Sequence, residues 1–509
     1  MDGINDIHEH ERSNERSPLL HSSTSSSVHS ITKQKQQLQK RTPLPKLQIA
    51  IVLLLQICEP ICSQSIYPYI NELVGTLNIV KGDERRIGYY AGLIESLFFL
   101  TEAITVFQWS RTSDRIGRKP VMMIGMIGTM LSMLCFGLSR TFVTLVISRC
   151  LCGLLNGNIG VIKSTMGELT DNTNRADAFA LMPAVWALGA TMGPLLGGTL
   201  TRPADNFPGV FTSPFWKEYP YFLPCVATSS VVLVIFVITG FLFEETAPII
   251  HDKIPKSRDS SVSSTSTSST LDSEPRYSST RVSFRGLLTF PVVISIANYV
   301  TLAFLNISTN ALLPLFFHMP INMGGLDLDP VTIGYVMGIY GFGTGMFQVF
   351  FFAKIVRRWG IRRVFIMSMA TFIPVFMMFP FISLLAKSYG VFWGVWVVVF
   401  AMLFILFFMD TAYGCIFMYV TESAPNRRSL GATNGLAQTT VSTARAIGPA
   451  LSTSLYSFSI ERQILGGYGV YAVLTTLAGL ALLLAVQLPV QLWNKQDGDG
   501  EETLRDHSD

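Results

Sequence analysis

Apolar residues come along this chain in blocks of about twenty, set apart by short polar stretches: Leu47 to Tyr69, Ile87 to Trp109, Val121 to Leu138 and onward. About 20 helical residues cross the ~30 Å hydrocarbon core of a bilayer. The blocks therefore predict an all-α polytopic membrane protein of about twelve spans. The first six fall near residues 47–70, 87–109, 119–139, 142–163, 177–200 and 219–243, and six more near 287–317, 331–353, 362–385, 392–419, 430–457 and 467–492. Three stretches break this pattern. Residues 1–46 are rich in Ser, Gln and Lys, without the early apolar segment of a cleavable signal peptide, and read as a disordered tail. Residues 247–286 contain the run Ser260 to Thr270, bury too little apolar surface to fold, and read as a Ser/Thr-rich linker. Residues 494–509 form an acidic tail. The expected units are thus a six-helix bundle over 47–246, the linker, and a second six-helix bundle over 287–493.

Composition agrees with the pattern. Of 509 residues, 49% are hydrophobic and 14% charged, with a mean hydropathy of +0.41, against roughly 25% charged in a soluble domain. The basic residues sit in short loops and form no face that could track a nucleic-acid backbone, so nucleic acid is excluded as a partner; the partner is the lipid bilayer. Arg111, Arg115, Arg118 and Lys119 follow the second span, Lys354 to Arg363 the eighth, and Arg427 with Arg428 the tenth. Basic loops stay cytosolic, which predicts both termini in the cytosol. All seven cysteines lie in or beside apolar blocks and read as packing residues; no metal site is expected. In the first tail, Glu15-Arg-Ser-Pro-Leu19-Leu20 is similar to the dileucine signals read by sorting adaptors, which would direct the protein to a vacuolar membrane; the alternative is an inert tail, and the expected location is the vacuolar or the plasma membrane.

The two halves echo each other. Glu168 and Gly193-Pro194 recur as Glu422 and Gly448-Pro449 at an offset of about 254 residues, and Arg115-Ile-Gly117-Arg-Lys119 recurs loosely as Arg358-Trp-Gly360-Ile-Arg362. Two joined bundles are what a transporter needs if they rock about a site at the membrane midplane. Nothing suggests an enzyme, since there is no nucleophile elbow, His-Glu-x-x-His string or phosphate loop, and no cofactor is implied.

Three strings carry mechanism. In Asp114-Arg115-Ile-Gly117-Arg118-Lys119, Gly117 permits a tight turn and Asp114 is suited to accept from the free N–H groups of a neighbouring helix start. In Gly189-Ala-Thr-Met-Gly193-Pro194-Leu-Leu-Gly197-Gly198, glycines at every fourth position give a face for close helix approach. In Arg149-Cys-Leu-Cys-Gly153-Leu-Leu-Asn-Gly157 a cation lies within a span, where it needs a partner or a cavity. Intramembrane acids that could serve are Glu59, Glu95, Glu102 and Asp410, and Arg445 is a second cation.

The first string resembles the cytosolic gating-loop signature of the major facilitator superfamily, with Ser110 where many members have glycine. The second resembles that superfamily's antiporter motif, and the third its motif whose arginine is linked to proton coupling. The resemblance implies the major facilitator fold, two six-helix bundles related by pseudo-two-fold symmetry, and it points to the twelve-span drug/proton antiporter branch, nearest the zinc-induced facilitator-like proteins and their fungal relatives. The Cys-Pro-Gly-Cys motif of plant members is missing and Ala180 replaces a serine, so zinc is not carried over as substrate. The resemblance then implies proton-coupled export or vacuolar sequestration of a small organic solute or drug by alternating access, with Glu59, Glu102, Arg149, Asp410 and Arg445 as candidates for proton coupling or the substrate cavity. A monomer suffices for this. The alternatives are a nutrient or sugar uptake facilitator of the same fold, and a non-transporting membrane sensor.

Overall fold

The computed structural model describes residues 43–77, 79–170, 174, 178, 181–246, 288–425 and 430–490. The dileucine pair Leu19-Leu20, nearly all of the N-terminal tail, the linker, the acidic tail, Arg175, Ala180, Arg427 and Arg428 lie outside the described residues.

Twelve long helices carry the fold: α1 (Lys46–Gln64), α2 (Ile87–Ile116), α3 (Arg118–Gly137), α4 (Phe142–Glu168), α5 (Met182–Thr199), α6 (Phe222–Leu242), α7 (Phe290–His318), α8 (Pro330–Trp359), α9 (Ile361–Tyr389), α10 (Trp393–Glu422), α11 (Leu430–Glu461) and α12 (Gly469–Ala485). Ten segments among the described residues are long and apolar enough to cross a membrane. The other two helices explain the difference from twelve. α12 is apolar but has 17 residues, the short end of the spanning range. α11 has 32 residues but carries a row of Thr, Ser, Asn and Gln with Arg445, which lowers its hydropathy. A helix as polar as α11 is stable in a bilayer only where neighbouring helices shield it. It packs on α2 and α7.

Within the first half, α1 packs on α5 and α6, α2 on α4, and α3 on α4 and α6; within the second, α7 packs on α10, α11 and α12, and α9 on α10 and α12. Two pairs join the halves, α5 with α8 and α2 with α11. Large side chains such as Phe241, Phe404 and Leu483 remain exposed on the outer flanks, which is how a lipid-facing surface reads in the absence of lipid. Five of the seven cysteines (Cys58, Cys62, Cys152, Cys225 and Cys415) are buried, in keeping with a packing role.

The glycine string of α5 serves two contacts. A Cβ on Gly193 would stand 2.9 Å from the Ile61 carbonyl oxygen of α1, and one on Gly189 would meet Pro60. Gly198 instead faces α8, where a Cβ would lie 2.5 Å from the Pro330 carbonyl oxygen and 2.8 Å from the Gly334 Cα. The reciprocal contact, Gly334 against the Pro194 carbonyl at 2.6 Å, shows two backbones with no side chain between them. At the second seam, Gly92 of α2 lies against Thr453 and the Pro449 carbonyl of α11. Pro449 interrupts the hydrogen bonding of α11, and the Ala450 N–H donates to Ser96 Oγ at 2.8 Å, across the two halves. These contacts all lie towards the face opposite the basic loops, so the halves are sealed there.

Valine at Gly198 therefore overpacks a backbone-to-backbone seam and is expected to destabilise by about 1–3 kcal/mol, read as a lower thermal midpoint of the purified protein. Gly479→Val, where nothing stands within 4 Å, is the control and should leave the midpoint almost unmoved. Equal midpoints for both variants would show that α5 and α8 do not meet as described.

Candidate functional site

At mid-span the two halves bring charges together. Glu59 (α1), Glu102 (α2) and Lys163 (α4) come from the first half and Arg445 (α11) from the second. Glu59 is hydrogen-bonded to Asn156 and interacts with Arg445 and Lys163. Glu102 interacts with Glu59, Arg445 and Lys163. Lys163 Nζ donates to Gln438 Oε1 of α11 at 3.0 Å, again across the halves. Glu102 is buried, whereas Glu59, Lys163 and Arg445 keep partial exposure although they lie within spans. Charges that bond across two bundles and still touch solvent line a cleft between those bundles. Two acids facing two bases satisfy the demand that intramembrane charge be paired.

A second group lies in the second half. Asp410 lies within α10, between the pieces Trp393–Met409 and Thr411–Glu422, with helical φ −64° and ψ −16°. Its carboxylate accepts from Tyr340 Oη at 2.9 Å, Thr344 Oγ1 at 3.3 Å and Asn306 Nδ2 at 3.4 Å. Tyr413 Oη donates to Asn306 Oδ1 at 3.0 Å and is also hydrogen-bonded to Arg445. A polar chain thus runs Asp410, Asn306, Tyr413, Arg445, Glu102, from one half into the other.

Arg149 stands apart from both groups. It is 6% exposed, lies 4.9 Å from the centre of the Phe136 ring, and has an Nε without a hydrogen-bond partner. The acid facing it is Glu95, which accepts from the Tyr67 hydroxyl. Arg149, Glu95, Tyr67 and Asn71 line a small cavity between the halves, towards the sealed face. Of the acids named from the sequence, Glu95 is thus the one nearest Arg149, while Glu59 and Glu102 associate with Arg445 and Lys163.

The loop after α2 is tied down by charge. Gly117 adopts φ 106° and ψ 158°, a conformation that L side chains avoid. Arg118 bridges Asp114 at 2.6 Å and Glu168 at 2.7 Å. The free N–H groups at the start of α3 are capped by Glu245, which accepts from Arg118 N at 2.7 Å and Lys119 N at 3.0 Å. The helix-capping role expected of Asp114 therefore belongs to Glu245, because Asp114 lies one turn before Arg118 on α2 and is drawn to its guanidinium. The second half repeats the plan: Gly360 adopts φ 80° and ψ 152°, and Arg362 donates to the Leu488 and Val486 carbonyls beyond α12, both at 2.6 Å. Lys119 Nζ makes the equivalent bond to the Phe243 carbonyl beyond α6 at 2.7 Å.

Sequence reasoning missed Lys163, Gln438, Asn306, Tyr340, Thr344 and Tyr413. Lys163 carried a usable signal, since it falls at the end of an apolar block. The hydroxyl and amide residues carry none, because such residues are common in helices whether or not they line a cleft.

A helical bundle pair with paired charges in a midplane cleft defines the class: a multi-pass integral membrane transporter, not an enzyme. The profile of the Major Facilitator Superfamily matches residues 52–449 and 326–505, and the chain belongs to that superfamily. It is 32% identical to the Major facilitator superfamily multidrug transporter mfsB of Aspergillus fumigatus, over 84% of this chain and 80% of that protein. It is 28% identical to Protein ZINC INDUCED FACILITATOR 1 of Arabidopsis thaliana, over 84% of this chain and 88% of that one. Among solved structures, that of the human organic anion transporter MFSD10 matches 87% of this chain and all (100%) of its own with a TM-score of 0.57 at 17% identity, a likeness of fold.

Replacing Glu245 with Ala removes a helix cap and is expected to lower stability by about 1 kcal/mol. A double-mutant cycle of Arg118→Ala with Glu168→Ala, read by thermal unfolding, should give a coupling of about 0.5–3 kcal/mol; strict additivity would show that this ion pair does not form.

Proposed function

We propose that the protein is a proton-coupled antiporter that exports a small organic solute, or sequesters it in a vacuole, by alternating access. The observation that carries this reading is the meeting of Glu59 and Glu102 from one half with Arg445 from the other. A proton arriving on either acid removes the attraction that holds the halves in their present relation. The cost of leaving Arg445 without its partner then shifts the balance between the two states. The superfamily membership and the multidrug transporter named among its relatives support a small-molecule cargo, and the glycine string of α5 supports exchange over uptake.

In this reading the basic loops place both termini in the cytosol, so the sealed face looks outward or into the vacuole and the cleft opens to the cytosol. The units that move are residues 47–246 and 287–493, and one copy suffices. Asp114, Arg115, Gly117 and Arg118 form the gating loop; among the described residues the partners of Arg118, namely Ser113, Asp114, Glu168 and Glu245, lie in its own half, as a released latch requires. Arg149 and Glu95 form a second charge relation nearer the sealed face, able to pass a proton onward.

The test is transport into sealed proteoliposomes with an imposed pH gradient and an internal pH dye, screening drugs and organic anions. Wild type is expected to move protons when a solute is added, and Glu59→Gln or Glu102→Gln to lose at least ten-fold of that movement. Solute flux that is equal with and without the gradient, in wild type and both variants, would mean a uniporter.

A further inference from the structure

Glu59, Glu102 and Asp410 lie within the spans, and their surroundings differ. Glu59 and Glu102 share Arg445 and Lys163. The hydrogen-bond partners of Asp410 are three neutral donors, Tyr340, Thr344 and Asn306. Neutral donors orient a carboxylate and ease its burial, but they leave its charge in place. Both carboxylate oxygens act as acceptors, so the group is fixed in direction before any ligand arrives. It also stands among aromatic rings: Tyr340 is stacked on Phe407 with centroids 6.0 Å apart and planes 9° apart, and Tyr413 meets Tyr299 edge-on at 6.3 Å. A fixed carboxylate beside aromatic faces is the environment that attracts an organic ammonium, by ion pairing and by the ring quadrupoles.

We propose that Asp410 recognises the cationic group of the transported solute, which makes the substrate class an organic amine or ammonium; this rests on the transporter reading above. A division of labour follows. Glu59 and Glu102 take the proton, and Asp410 takes the cargo. The chain of bonds from Asp410 through Asn306 and Tyr413 to Arg445 links the two. A cation on Asp410 weakens its pull on Asn306 and Tyr413, leaving Tyr413 freer to bond Arg445 and so altering the partner of Glu102.

The experiment uses the full-length protein in lipid nanodiscs at neutral pH, with ethidium as a fluorescent permanent cation and benzyltrimethylammonium and phenylacetate as competitors of similar size and opposite charge. Benzyltrimethylammonium is expected to displace ethidium at a concentration at least ten-fold lower than phenylacetate does. Asp410→Asn should weaken ethidium binding at least ten-fold, and Tyr340→Phe and Thr344→Ala a few-fold each. Should Asp410→Asn fail to fold, the Tyr340 and Thr344 variants decide: wild-type affinity in both overturns the assignment. It is equally overturned if folded Asp410→Asn binds ethidium as wild type does, if phenylacetate competes better, or if wild type binds no cation. Cation binding that needs Asp410, found together with solute flux that moves no protons, would uphold this inference and remove the antiport reading alone.

Discussion

The structure depends on one constraint, the penalty for placing an ionisable group in hydrocarbon. Glu59, Glu102, Lys163 and Arg445 all lie within spans, and none is stable there by itself. Their mutual pairing settles where α1, α2, α4 and α11 face, and because Arg445 belongs to the second half, it makes the relation of the two halves part of the same electrostatic balance. A change of one charge in the cleft is then felt at the seam.

Approach of the halves is a separate matter, settled by the absence of side chains. Gly198 and Gly334 let α5 and α8 touch backbone to backbone, and Gly92 does the same for α2 against Thr453 and Pro449 of α11. Dispersion acts over short distances, and such contacts pack tightly without the directional commitment of a salt bridge. A seam of this type is compatible with opening and closing. The ion pairs of Arg118 with Asp114 and Glu168, and the cap from Glu245, lie within one half and stiffen it as a unit. Gly360 and Arg362 do likewise for the other half. Rigid halves and a smooth seam together favour motion as two bodies.

The sequence by itself determined the membrane class, the helix order and the loops. These follow from block length and from the energy of backbone groups in lipid, which leaves helices as the form a long apolar block can take. The loop after α2 was legible down to Gly117, because a positive φ selects glycine locally, and the glycine face of α5 was legible because its four-residue spacing is local too. Tertiary structure alone decided which charges meet. The sequence offered Arg149 four acids, and the fold gave it Glu95, sending Glu59 and Glu102 to Lys163 and Arg445. It moved the helix cap from Asp114 to Glu245, which is distant in the chain, and it joined Asn306 and Tyr413 into a chain from Asp410 to Arg445. Spacing along a helix says which residues share a face; which face it meets depends on packing among twelve helices, and that is a property of the whole chain.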